Sequence, residues 1–149
     1  MRTTNFVLLS LCVVTLSCSK TTVGVITVKN DISQDIRIEL ILPKGNIVRE
    51  IPCDGGYHHL IQTATFNGYL DDFTLKDFVS DQAISKANLY LEEQEEPALC
   101  WRASEAKEQE RNIFNLSQMR KHKEIDVDGT HFIVYEYIIY KEDIIYNYR

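Results

Sequence analysis

Apolar and polar residues alternate along most of this chain with a period of two, which places every second side chain on one face of a β-strand. The clearest case is the apolar series Ile36, Ile38, Leu40 and Leu42. Residues 43–46, Pro-Lys-Gly-Asn, follow this series and predict the turn of a hairpin. The same pattern predicts strands over residues 23–29, 36–42, 47–51, 57–65, 84–91 and 131–140, and the short segment 98–102 is apolar and partly aromatic. About seven short strands separated by turn residues favour an all-β fold, a single antiparallel β-sandwich with at most short helical segments.

The segment His131–Tyr140 is the most apolar of these predicted strands. It carries apolar or aromatic residues on both faces and is interrupted by Glu136. Burial on both faces is typical of a central strand. We therefore expect this strand either in the middle of a sheet or with one face covered by a loop.

Three other segments have weaker patterns. Thr74 is expected to cap a short helix over residues 75–79, with Asp77 near the favoured third position. Residues 103–111 are charged and form either an exposed helical turn or a long loop. Residues 112–123 are interpreted as irregular.

The amino terminus departs from the period of two. Arg2 precedes an unbroken apolar run, Phe6–Leu16, which contains only Ser10 and Thr15 as polar interruptions. An eleven-residue helix spans about half of a ~30 Å hydrocarbon core, so the run fits a secretory signal better than a membrane-spanning helix. Residues 1–17 are therefore predicted to be a signal peptide.

The signal ends in Thr15-Leu16-Ser17 before Cys18 and resembles that of bacterial lipoproteins, in particular those of Bacteroidota. In such proteins the Cys becomes the acylated first residue, which would make Cys18 a lipid anchor in the membrane, residues 18–22 a tether and residues 23–149 the sandwich domain. The alternative is an ordinary secreted protein. Residues 19–22, Ser-Lys-Thr-Thr, lack the acidic residues that often follow the Cys in surface-exposed members. The resemblance therefore implies an outer-membrane anchor that faces the periplasm.

The rest of the chain also has a family resemblance. The segments Ile26–Leu40, Asn112–Gln118 and Tyr135–Ile144 are similar to small uncharacterised outer-membrane lipoproteins of the same bacterial group. That resemblance implies an immunoglobulin- or transthyretin-like sandwich, and it supplies no catalytic residue.

The charge balance excludes one class of partner. The chain has 16 Lys and Arg against 22 Asp and Glu, a formal net charge of −6 at pH 7. Nucleic acids and anionic lipid surfaces require concentrated Lys and Arg. We therefore expect no nucleic-acid partner.

Two cysteines remain beyond Cys18. Cys53 and Cys100 would lie in an oxidising compartment, where paired thiols are commonly bridged. A disulfide between them is one prediction, and two separately buried thiols are the alternative. Neither has metal-ligating neighbours at ligand spacing, so we expect no zinc site.

The histidines are the first candidates for a metal-binding or catalytic site. His58 and His59 are adjacent, and adjacent strand residues face opposite sides, so they cannot chelate one metal together. One of them could join His122 or His131 in a metal-binding protein or small envelope enzyme. The acidic series Glu124, Asp126 and Asp128 lacks the full twelve-residue calcium loop and is interpreted as a solvated turn. The chain contains no nucleophile elbow, phosphate-binding glycine loop or HExxH motif, so we expect no cofactor and no enzyme activity.

Aromatic residues suggest binding instead. Tyr135 and Tyr137 share a face of the predicted central strand, and Trp101 lies on another strand. Exposed rings on a rigid sheet stack on sugars or anchor protein partners, whereas rings on a strand that is apolar on both faces are more commonly part of the core. We expect a non-catalytic binding or assembly module that recognises a protein or a glycan, with the histidine-based enzyme or metal-binding protein as the alternative.

Overall fold

The domain consists of two four-stranded sheets packed face to face. The computed structural model describes residues 21–65, 73–74, 77–78, 83–92, 94–125 and 130–145. The strands are β1 (Thr21–Asn30), β2 (Ile36–Ile41), β3 (Ile47–Ile51), β4 (Tyr57–Thr65), β5 (Lys86–Leu91), β6 (Leu99–Arg102), β7 (Arg120–Ile125) and β8 (Thr130–Ile139). Short 3₁₀ turns cover Ala103–Glu105 and Leu116–Gln118, and a C-terminal helix covers Lys141–Ile145. The predicted all-β sandwich is confirmed.

The strand order is β4-β1-β8-β7 in sheet A and β3-β2-β5-β6 in sheet B. Five of the described strand pairs are antiparallel, whereas β1 and β8 run parallel, in register from Thr21 opposite Thr130 to Asn30 opposite Ile139. These two strands are the first and last of the sandwich, so the intervening chain supplies the long connection that a parallel pair requires. Among the described strand pairs, the sandwich is therefore antiparallel apart from this one pair.

Alternation along the strands produces the core. Inward residues of β1, β2, β5 and β8 are almost fully buried, among them Ile26, Ile38, Leu89 and Ile139. Each such side chain contributes roughly 1.5–3 kcal/mol by leaving water. Packing between the inner faces of the two sheets therefore holds the sandwich together.

The predicted strands coincide with observed ones, with ends shifted by up to two residues. β1 begins at Thr21, inside the predicted tether, and Thr22 is fully buried. One strand was missed, because β7 lies largely in the segment interpreted as irregular. Its sequence, RKHKEI, lacks apolar alternation, and charged residues are typical of an edge strand that must avoid pairing with other molecules.

The position predicted for the last strand is confirmed, since β8 lies between β1 and β7. The expected burial of both faces of this strand is wrong. Ile133 and Ile139 on the inner face are fully buried, but Val134 and Ile138 on the outer face are only half-buried. No element covers that face within the part of the chain that the structure describes.

Thr74, the residue predicted to cap a short helix over residues 75–79, is hydrogen-bonded to Asp77, and residues 75, 76 and 79 lie outside the described residues. The Thr74 amide and hydroxyl both donate to Asp77 Oδ2, at 2.6 and 2.7 Å, and the Asp77 amide donates to the Thr74 carbonyl at 3.0 Å. No helix among the described residues is long and apolar enough to cross a membrane.

Candidate functional site

The three rings named as a candidate binding face lie in the core, which is where the other interpretation of the sequence placed them. Trp101 and Tyr137 are each 1% exposed, and Tyr135 is 2% exposed. Their strands place them on the inner faces, where large aromatic side chains contribute most to packing. The predicted binding face of Tyr135, Tyr137 and Trp101 is therefore wrong.

Hydrogen bonds explain how these polar rings are buried. Trp101 Nε1 and the Tyr137 hydroxyl donate to the Arg111 carbonyl at 3.0 and 2.9 Å, and the Trp101 and Tyr137 rings meet edge to face at 6.1 Å between centroids. The Tyr135 hydroxyl accepts a 2.7 Å hydrogen bond from the Phe73 amide. Burial raises the pKa of Tyr137 well above its ordinary value. These rings stabilise the scaffold.

The predicted disulfide is also wrong. Cys100 lies on the edge strand β6, Cys53 lies beyond the end of the opposite edge strand β3, and both thiols are free. Strands β2 and β5 separate them, which puts them about 10 Å or more apart. A disulfide requires Cα atoms within about 7 Å.

Cys53 occupies a turn with a carboxylate beside it. Its amide donates to Asp35 Oδ1 at 2.9 Å. A hydrogen bond between the thiol and Asp35, together with the nearby negative charge, raises the pKa of Cys53 above its ordinary value. The thiol is therefore held protonated, which is the opposite of what a nucleophilic cysteine needs.

The four histidines are dispersed. His58 pairs with Asp54 at 2.9 Å in the β3–β4 turn, and that contact lowers the pKa of Asp54. His59 faces the other side of β4, and its pKa is lowered by partial burial and by Arg49. His122 lies on the far edge strand of sheet A, and His131 lies at the beginning of β8.

His122 Nε2 lies 3.0 Å from Glu136 Oε2 on the outer face of sheet A. Arg120 lies 4.0 Å from the same oxygen. Within the described ranges, no three His, Cys, Asp or Glu residues are grouped at the spacing that a metal ion needs. The histidine-based alternative stays a prediction.

The sheet edges are poorly suited to adding a partner strand. At edge strand β3, Arg49 turns towards sheet A, and its Nε donates to the Leu60 carbonyl at 3.4 Å. At edge strand β4, a register shift between Ile26 and Thr27 marks a bulge in its pairing with β1. Edge strand β6 has only four residues. Edge strand β7 is charged. Bulges, short strands and charges all oppose strand addition, which leaves the sheet faces as the surfaces available for recognition.

The outer face of sheet B carries a concave site. This sheet B groove has a volume of about 450 Å³, and its lining residues are Arg37, Glu39, Val48, Glu50, Tyr90 and Glu95. Arg37 lies directly between Glu50 and Tyr90 in cross-strand register, and Glu39 lies between Val48 and Asn88. Three adjacent strands therefore fix the floor of the groove.

A hydrogen-bond network orders the side chains of the groove. Glu39 accepts from Asn46 Nδ2 at 2.7 Å and from the Tyr90 hydroxyl at 3.0 Å. The Arg37 guanidinium stacks over the Tyr90 ring at 4.5 Å. The hydrogen bond from Asn46, followed by that from Tyr90, lowers the pKa of Glu39, while burial and the nearby Glu39 raise the pKa of Tyr90. Glu39 is therefore a fixed carboxylate at neutral pH.

Asn88 is the most buried member of this hydrogen-bond network. It is 7% exposed, and its Nδ2 donates weakly to the Tyr90 hydroxyl at 3.4 Å. Its Oδ1 is buried without a hydrogen-bond partner among the described residues. A buried acceptor without a partner costs about 1–3 kcal/mol and is uncommon in folded proteins.

Sequence reasoning missed this groove, although the signal was present. Arg37 and Glu39 are the polar positions of the clearest alternating strand, and such positions are usually only solvated. Tyr90 belongs to a second strand 51 residues from Glu39 along the chain. Only the strand order brings the two together.

No known family model matches this chain, and no similar curated protein or solved structure was found.

Proposed function

We propose that this protein is a lipid-anchored component of the cell envelope whose sandwich is a non-catalytic module that binds a protein or glycan partner. The observation that carries the proposal is the sheet B groove, a concave site ordered by hydrogen bonds on a rigid sheet. Ordered groups in a concave site are typical of recognition surfaces, because little conformational freedom is lost on binding.

The protonation state of Glu39 supports binding rather than catalysis. Its lowered pKa keeps the carboxylate ionised at neutral pH. A general acid or base works best when its pKa lies near the working pH. Glu39 therefore suits electrostatic recognition.

The anchor proposed at Cys18 would orient the groove. Two residues, Ser19 and Lys20, separate Cys18 from the first residue of β1, Thr21, a reach of about 10 Å. The ten residues of β1 then extend roughly 30 Å from the membrane. Asn30, at the far end of β1, donates to the carbonyls of Gln34 and Ile51, so β2 begins and β3 ends at that far end. The row formed by Arg37, Glu50 and Tyr90 lies close to it and would face away from the membrane.

The anchor is tested by mass spectrometry of the mature protein and by membrane fractionation. We expect an acylated amino terminus at Cys18 and loss of membrane association in Cys18→Ala. A mature start elsewhere, or an unmodified Cys18, would contradict the anchor. Protease added to intact cells tests the orientation: protection that is lost on permeabilising the outer membrane indicates the periplasmic face.

The binding function is tested by crosslinking in intact envelopes, followed by capture of the lipidated protein and identification of what is bound. We expect a specific partner that is also captured in the reciprocal experiment. Capture of the same material by an unrelated lipoprotein of similar abundance would overturn the proposal.

A further inference from the structure

The sheet B groove has a charge imbalance that specifies its ligand. Its lining includes three carboxylates, Glu39, Glu50 and Glu95, but one guanidinium, that of Arg37. That guanidinium is already stacked on the Tyr90 ring. The groove therefore presents a formal excess of two negative charges at the end of the sandwich.

The hydrogen-bonding groups of the groove also favour a cationic ligand. Glu50 and Glu95 are exposed acceptors, and Glu39 adds a third carboxylate to the lining of the groove. Carboxylates accept hydrogen bonds and donate none, so the groove is complementary to a ligand that brings N–H donors. A sugar brings hydroxyl groups without the compensating charge.

An apolar contact completes the site. Val48 is 48% exposed and lies directly opposite Glu39 across the β2–β3 pair. Lys and Arg side chains combine an apolar stem with a charged end, and they commonly place the stem along apolar surface. Val48 beside the carboxylates provides both kinds of contact within one side-chain length.

We propose that the sheet B groove binds the ammonium or guanidinium group of a lysine or arginine side chain in a basic segment of a partner protein. This inference rests on the proposed binding function and specifies its partner. The ammonium lies among Glu39, Glu50 and Glu95, and the stem lies against Val48. Arg37 stays on Tyr90 and keeps the floor of the groove rigid.

The test uses titration calorimetry of the purified protein with a short peptide carrying two lysines. Comparison probes are the same peptide with both lysines acetylated, a free polyamine and a neutral oligosaccharide. We expect the lysine peptide to bind, with affinity falling as salt is raised, and the acetylated peptide to bind about tenfold or more weakly. Equal binding of both peptides, or preference for the oligosaccharide, would overturn the assignment of a cationic ligand. Tighter binding of the polyamine would overturn the inference that the cation belongs to a protein.

A matched pair of variants separates the groove from the overall charge. Glu50→Gln/Glu95→Gln removes two charges from the groove, and Glu108→Gln/Glu110→Gln removes two from an exposed segment elsewhere. We expect the first variant to weaken peptide binding about tenfold and the second to change it less than twofold. Equal losses of peptide affinity in the two variants would overturn the assignment of the binding site to the groove.

Envelope capture with the same variants distinguishes this inference from the proposed function. Loss of the partner in the groove variant alone supports both. A partner retained by the groove variant overturns the groove but leaves the binding function standing. Failure of the unsubstituted protein to capture any partner overturns the function itself.

Discussion

Arg111 and Asp143 form a two-point ion pair that connects the C-terminal helix to the sandwich. Arg111 Nε lies 2.8 Å from Asp143 Oδ1, and its Nη2 lies 2.6 Å from Oδ2. The same guanidinium donates to the Ile138 carbonyl and stacks on the Tyr137 ring at 4.9 Å. Asp143 is the main cause of the raised pKa of Arg111. A single arginine thus joins the core, the end of β8 and the terminal helix.

Asp143→Asn should destabilise the fold. The Asp143 side chain is 6% exposed, whereas Arg111 is 42% exposed, so part of the charge on Arg111 stays solvated. We expect a loss of about 2 kcal/mol in the free energy of unfolding, measured by urea denaturation. Arg102→Gln is the control, because it breaks an exposed pair with Glu105 and should cost less than about 1 kcal/mol. Equal effects would show that the Arg111 pair is no more than a surface contact.

Gly24→Ala should disrupt the contact between β1 and two phenylalanines. A Cβ at Gly24 would lie 2.7 Å from the Phe73 ring and 2.9 Å from the Phe78 ring. Overpacking of this kind costs roughly 1–3 kcal/mol. The double variant Gly24→Ala/Phe78→Leu should lose less than the sum of the two single variants, because the smaller side chain at position 78 relieves the part of the clash that Phe78 causes. Additive losses in thermal or urea unfolding would argue against direct contact.

Both thiols should react with an alkylating reagent without prior reduction. Native Cys53 is exposed, but its pKa is raised by Asp35, so little thiolate forms at neutral pH. Asp35→Asn should speed the alkylation of Cys53 several-fold at pH 7.5 and leave the rate at Cys100 unchanged, as followed by mass spectrometry. An unchanged rate at Cys53 would show that Asp35 does not control the thiol.

The strands were predictable where one face is apolar and the other polar. β2, for example, alternates buried and half-buried residues along its whole length. β7 was not predictable, because its edge position selects for charge rather than alternation. The parallel pairing of β1 with β8 was also hidden, since it depends on the order of strands in space.

Site residues were harder to predict than strands. The sequence offers both a binding surface and the core for Trp101 and Tyr137, because aromatic residues serve both roles and composition does not distinguish them. The groove on sheet B depends on residues from three strands that alternate with core positions. Each of them alone resembles an ordinary solvated side chain, and only their register makes them a site.

The pH dependence of stability should report on Glu39. Its pKa in the folded state lies below the ordinary value of 4.5, chiefly because Asn46 donates to it. A carboxyl with a lowered pKa stabilises the fold above about pH 4.5, and this contribution is lost as the pH falls through the folded-state pKa. Asn46→Ala should therefore raise the pKa of Glu39, observed by NMR titration of its carboxyl carbon.

Comparison with Tyr90→Phe ranks the two donors to Glu39. The Tyr90 hydroxyl contributes less than Asn46 to lowering the pKa of Glu39, so Tyr90→Phe should raise that pKa by a smaller amount. The destabilisation caused by Asn46→Ala should be larger at pH 7 than at pH 3, because protonated Glu39 has less to lose. A destabilisation that does not change with pH would mean that Asn46 acts through the turn it occupies rather than through the carboxylate.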